Sequence, residues 1–292
     1  MTNARQAAGA LAMAMAVFSP DAAKSQQSNG SASFATPVVL KSARSTDMPA
    51  PTPGPQAAPL FDAKFSAGIT SDYNYRGYTL SNHKPSVFGT AEWDYGILFA
   101  SVNSASVQMP NLSHFQMTDT LGIRPAFGPV TVETGVAYYS YPGGASDPSY
   151  SEFYVAPSYS ATSRLLVGLK LYYAPDYYRM GVWENYNSIA AKYDVGSGLT
   201  ISAELGHQTF GKTAIVALPN YTYGNSGLSF TYKSLTFDLF YHATTLSKQT
   251  CFLITGTGSE IGGSNGCDSA VIATLSWSAG LSEAKGSLAG PR

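Results

Sequence analysis

Between residues 61 and 279 the chain repeats one motif of construction: segments of about ten residues in which apolar and polar side chains alternate, separated by turn signals. In "LTISAEL" Leu199, Ile201, Ala203 and Leu205 alternate with Thr200, Ser202 and Glu204, and "LTFDLFYHA" sets Leu235, Phe237, Leu239 and Tyr241 against Thr236, Asp238 and His242. Successive strand side chains point to opposite faces, so each segment reads as a strand with one apolar and one polar wall. "VTVETGVAY" and "RLLVGLKLYY" follow the same rule. Helical periodicity is weak throughout.

About twelve such segments can be counted: 63–80, 85–95, 97–104, 114–125, 129–141, 149–160, 163–174, 183–194, 198–209, 222–232, 234–244 and 269–279. Their connections alternate strictly between tight turns, such as "FGP" at 127–129 and "VGSG" at 195–198, and long loops, the longest spanning 245–268. An even strand number with short turns on one side and long loops on the other predicts an all-β fold, a transmembrane antiparallel β-barrel with short periplasmic turns and long extracellular loops. A soluble β-sandwich has no reason to alternate its loop lengths.

Composition agrees. Only 12% of residues are charged, 13% are aromatic, and the net charge is −1, which leaves no electrostatic footprint for nucleic acid. Mean hydropathy is −0.05, and no run reaches the roughly 18 apolar residues of a spanning helix. Residues 1–23 read as a signal peptide, with Arg5 before the apolar run "AAGALAMAMAVF" and a small-residue cleavage site near Ala22 or Ala23. Residues 24–60, rich in Ser, Pro, Ala and Gln, read as a disordered linker. Residues 61–279 form the expected barrel and 280–292 a C-terminal tail.

Alternation assigns an inward set: Lys64, Asp72, Arg76, Glu92, Asp94, Arg124, Glu133, Glu152, Arg164, Lys170, Lys192, Glu204 and Asp238. Acids and bases are nearly balanced in it, which predicts weak ion selectivity. Twelve strands tilted by about 40° close at a backbone diameter of roughly 24 Å and leave a channel of at most about 10 Å, narrower if "AIVAL" (214–218) folds inward. "YYSY" (138–141), "YYAPDYY" (172–178), Tyr95 and Tyr193 are expected at the two membrane interfaces.

The segment "FSAGITSDYNY" is expected to form the first wall strand, with "RGYTLSNHKP" carrying its end into the first long loop. With the "KPSVFGTAEWDYGILFASVNSASV" that follows, "TSDYNYRGYTLS" resembles the TorF family, whose members are regarded as outer-membrane porins. Thr70, Ser71, Asp72, Tyr73, Arg76, Gly77, Ser81, Pro85 and Gly89 match its pattern, most sharply over residues 66–105. The resemblance implies an outer-membrane barrel. Such barrels commonly end on an aromatic residue; here the last strand, "SAVIATLSW", ends near Trp277 and a tail follows. Either Trp277 serves internally or closure differs from the usual one.

Other motifs carry less. "GHQTFGKT" (206–213) matches a phosphate-loop pattern but lacks the parallel α/β context that pattern needs, and "GTGSEIG" (256–262) is a turn signal. His83, His114, His207 and His242 fall on the long-loop side, where with Asp119, Asp176 or Glu184 they could form a rim site; none has a metal-ligand spacing. No catalytic residue, metal or cofactor is expected. Cys251 and Cys267 bracket the longest loop and, in an oxidising compartment, are expected to form a disulfide. The expected function is a porin-like channel in the bacterial outer membrane, with membrane lipid and passively diffusing small solutes as partners. The alternative is an outer-membrane barrel enzyme or surface-binding protein with active groups in the extracellular loops.

Overall fold

The computed structural model describes residues 61–281. The expected signal peptide and linker, and all but the first two residues of the expected tail, lie outside them. The strands are β1 (Phe61–Thr70), β2 (Asn74–Tyr75), β3 (Tyr78–Thr79), β4 (Ser86–Tyr95), β5 (Leu98–Ser106), β6 (Phe115–Ile123), β7 (Ala126–Phe127) and β8 (Val130–Ser140). They continue with β9 (Tyr150–Ser160), β10 (Leu165–Ala174), β11 (Glu184–Gly196), β12 (Leu199–Phe210), β13 (Tyr221–Tyr232), β14 (Leu235–Thr244) and β15 (Ala270–Gly280), and one helix, α1 (Lys248–Thr255), precedes β15.

Twelve of these strands form a closed antiparallel ring. Each pairs with its neighbour in the chain, β6 pairs directly with β8, and β15 returns to β1 through pairs such as Ile69↔Leu275. The two-residue β7 extends β8 at its edge, and β2 and β3 pair only with each other. Closure leaves no wall strand with an unpaired edge, the condition for placing backbone in hydrocarbon. Among the described residues no helix is long and apolar enough to cross a membrane.

The alternation sorts the wall as its sequence demands. On β14, Leu235, Phe237 and Leu239 are exposed outward while Thr236, Asp238, Phe240 and His242 are buried inside. Inward Phe240 fits because Gly227 lies opposite: a Cβ there would stand 2.1 Å from the Phe240 ring. Near the short turns, Trp93, Tyr95, Tyr159, Tyr193, Tyr232 and Trp277 point outward and form an aromatic belt. Asp119 is an exception on the outer face, half-buried between exposed Phe115 and Leu121 at same-face positions of β6.

One expected strand is corrected. The first wall strand ends at Thr70, not at residue 80, and residues 71–85 leave the wall. At the other terminus β15 runs three residues past Trp277, so Trp277 lies inside the closing strand and pairs with Ala67.

Candidate functional site

The stretch that leaves the wall folds back into the barrel. Ser71 still donates its N–H to Ala273 O on β15 (2.8 Å), after which the chain turns inward. Asp72 organises the turn: Ser81 Oγ donates to Oδ1 (2.8 Å), Thr79 Oγ1 donates to the same oxygen, and His83 Nδ1 lies 3.0 Å from Oδ2. Tyr73 N–H donates to Ser81 Oγ, and Leu80 N–H to Tyr73 O. Thus β2 and β3 form a hairpin whose base is tied by side chains of one short segment.

The hairpin turns at Arg76 and Gly77, with φ of 41° and 97°. Two central residues with positive φ are what a two-residue hairpin turn requires, and glycine accepts this freely while arginine does not. Gly77 has a second reason: a Cβ would stand 2.9 Å from Tyr223 Cβ. Tyr73, Tyr75 and Tyr78 on the hairpin are almost wholly buried.

The tip reaches the far wall. Strand β10 lies six strands from β1 in either direction round the ring, and its neighbours β9 and β11 supply Glu152 and Glu184. Arg76 Nη1 donates to Glu152 Oε1 (3.1 Å) and Glu184 Oε1 (2.8 Å), while Nη2 donates to Glu152 Oε2 (3.2 Å). The guanidinium carbon lies over the rings of Tyr186 (4.0 Å), Tyr75 (4.7 Å) and Tyr172 (5.2 Å). Its side chain is 3% exposed and both carboxylates 0%. Removing one partner from such a buried cluster strands charge without water, so the contacts act as a latch.

More tyrosines pack round it. Tyr139 stacks on Tyr150 and Tyr154 on Tyr172, each with ring centroids 4.9 Å apart, and Tyr177 meets Tyr150 at 5.2 Å. This corrects the interface assignment: Tyr139, Tyr141, Tyr172, Tyr177 and Tyr178 turn inward and are buried, whereas Tyr138, Tyr173, Tyr95 and Tyr193 face outward. "AIVAL" also turns inward, through Val216 and Leu218. The expected open bore of about 10 Å is therefore filled in the long-loop half by hairpin, loops and tyrosines.

The short-turn half carries the remaining charge. Lys64 on β1 bonds Asp94 (2.6 Å), and Arg124, just past β6, bridges Asp94 (2.9 Å), Glu92 (3.3 Å) and Glu133 (2.9 Å). Along the wall, over β11, Lys170 Nζ on β10 donates to Glu204 on β12 (3.1 Å), which also accepts from Tyr186 OH and Ser188 Oγ. Lys192 and Asp238 sit on the inward faces of β11 and β14. Arg164 is exposed in the turn before β10 and not in the wall.

The longest loop caps the hairpin. Ser247 Oγ accepts from Thr250 N–H at the start of α1, and Cys251 and Cys267 are joined by a disulfide with Cα atoms 5.8 Å apart. Just before Cys267, Gly266 O accepts from Thr79 N–H (2.8 Å) and Asn265 O lies 3.0 Å from His83 Nε2.

A model of bacterial proteins of unknown function, Gcw_chp, matches residues 56–278. The chain belongs to the Gcw_chp family. Among solved structures, its barrel is similar to the NanC porin in a rhombohedral crystal form, with 13% identity, 73% of this chain and 97% of that chain covered, and a TM-score of 0.47. It is similar to the KdgM porin in complex with disordered oligogalacturonate at 11% identity, 74% and 98% coverage and a TM-score of 0.47. OmpT of Vibrio cholerae is similar at 10% identity, 75% and 97% coverage and a TM-score of 0.39. No curated protein matches in sequence. A closed barrel with an apolar outer wall is how a bacterial β-chain crosses an outer membrane, and this Gcw_chp barrel is an outer-membrane protein.

The histidines of the Gcw_chp chain do not assemble a rim site. His83 lies against Asp72, His242 is buried beside Asn74 (3.2 Å), His207 faces outward beside Thr222, and Asp119 is on the outer wall. Among the described residues no group of three His, Cys, Asp or Glu could hold a metal ion. Residues 206–210 of the phosphate-loop match continue β12, with Gly211–Thr213 in the loop beyond. Sequence reasoning missed Glu184 as a lumen residue and the tyrosine cluster as lumen filling. Parity held the signal: Tyr139 shares a face with Glu133, and Tyr172 with Lys170.

Proposed function

We propose that the protein is a porin-like channel through which small solutes diffuse passively, and that the β2–β3 hairpin is its constriction. One observation supports the reading above others: the wall encloses more room than its own side chains fill, so that a loop segment crosses the full width of the lumen to reach Glu152 and Glu184. A barrel serving only as an anchor has no need of a wide polar interior, whereas in channels inserted loops set the limiting diameter. The resemblance of residues 66–105 to the TorF porins points the same way, and the matched Asp72, Arg76, Gly77 and Ser81 are the residues that build and latch the hairpin.

Planar-bilayer conductance tests this. The wild type should give small unitary steps, and replacing residues 73–80 by a short Gly-Ser turn should enlarge them several-fold. A folded hairpin-less barrel that never conducts would overturn the channel reading.

A further inference from the structure

On the inner wall β9, β10 and β11 together build a place shaped for a cation, and the chain's own arginine occupies it. We infer that the cage around Arg76 is a binding site for small solutes bearing a guanidinium or ammonium group, which take the place of the hairpin's arginine.

Most of the cage belongs to the wall and not to the hairpin. Glu152 and Glu184 stand on β9 and β11, and Tyr172 and Tyr186 on β10 and β11; only Tyr75 arrives with the hairpin. If the hairpin withdraws, two carboxylates and two ring faces remain round one vacated position. Two carboxylates repel an anion. Ring faces at 4.0 and 5.2 Å favour a broad, weakly hydrated cation over a small hydrated one. The paired oxygens of Glu152 match the parallel N–H bonds of a planar guanidinium, as Arg76 demonstrates at 3.1 and 3.2 Å.

The occupant is held less well than the cage would allow. Arg76 delivers its side chain from a left-handed backbone, φ 41°, which costs a non-glycine residue free energy that a free ligand does not bear. Tethering nevertheless gives Arg76 a high effective concentration, so a solute competes poorly while the hairpin is seated. A site of this kind selects the solute and couples its arrival to withdrawal of the plug. That coupling rests on the channel reading, whereas the binding site does not.

Arg76→Gly vacates the cage and leaves the turn intact, because glycine accepts the positive φ. Calorimetry on the full-length protein in detergent would use agmatine as probe, with urea and acetate as neutral and anionic controls. Arg76→Gly should bind agmatine at least tenfold more tightly than wild type, with no response to urea or acetate, and adding Glu184→Gln should weaken that binding at least tenfold. Equal agmatine binding by wild type and Arg76→Gly, or equal binding of urea, would overturn the proposal. If Arg76→Gly does not fold unaided, millimolar agmatine must restore its heat-modifiable gel band, and failure to do so refutes the site. Because calorimetry reads no current, a barrel that binds agmatine but does not conduct would refute the channel and keep the site.

Discussion

Arg76 and Glu152, 76 residues apart in sequence, close a two-pronged hydrogen bond across the barrel, with the arginine carried by the loop after β1 and the glutamate by β9 on the opposite wall. The pair ties the hairpin to the wall, and its loss should be felt in stability as well as in conduction.

Arg76→Met should destabilise the folded protein by about 3–5 kcal/mol, because it leaves two buried carboxylates without their cation. Replacing Arg76, Glu152 and Glu184 together by Met should recover most of that loss, since no charge then remains to be solvated. Urea unfolding in lipid vesicles, followed by the fluorescence of Trp93, Trp183 and Trp277, measures both. A triple variant as unstable as the single one would show that shape and not charge holds the tip.

The lumen should prefer cations. Its inward bases are Lys64, Arg76, Arg124, Lys170 and Lys192, and its inward acids are Asp62, Asp72, Glu92, Asp94, Glu133, Glu152, Glu184, Asp194, Glu204 and Asp238, an excess of five acids. The expected near-balance shifts because Arg164 leaves the set and Asp62, Glu184 and Asp194 join it. In a salt gradient, Glu92→Gln with Asp94→Asn should move the reversal potential toward anions, while Leu169→Val on the outer face should leave it unchanged. A reversal potential unmoved by the first pair would mean that current bypasses the short-turn mouth.

Asp119 lies on the outer wall between Phe115 and Leu121. Carboxylates on the lipid face are destabilising, by less than the roughly 2–4 kcal/mol of basic residues there. Asp119→Leu should therefore stabilise the barrel in vesicles by about 1–2 kcal/mol and leave conductance unchanged. A destabilised variant would indicate that this carboxyl meets something other than lipid tails.

The disulfide should fasten the cap and not the wall. In the chain-entropy model a loop of this size contributes roughly 3 kcal/mol, and Cys251 sits on α1 and Cys267 beside the residue that holds Thr79. On intact cells a membrane-impermeant maleimide should label neither cysteine until reductant is added. Cys251→Ser with Cys267→Ser should expose residues 245–269 to protease while the remaining barrel keeps its heat-modifiable mobility. Labelling without reductant, or loss of the whole barrel, would contradict this.

The wall was legible because a period of two residues survives every substitution that keeps one face apolar; eleven of the twelve segments need only small end corrections. The hairpin was not, because "SDYNYR" carries the same alternation past Thr70, and nothing in periodicity marks where a strand leaves its neighbours. Chemistry did mark it: Arg76-Gly77 sits between two alternating triplets, as the turn residues of a hairpin do. The outward charge of Asp119 was illegible for the opposite reason, since parity alone cannot tell an interior carboxylate from one stranded on the apolar face.

The cap joins the first loop made to the last. His83 and Asn265 touch across 182 residues of chain, and Thr79 depends on Gly266 for its backbone partner. The hairpin is therefore synthesised long before its cap exists, and the cap can close over it only when the segment leading into β15 is in place. Sealing the wall and capping the plug become one late event in assembly, so a chain interrupted before residue 266 would yield neither a closed cylinder nor a capped one.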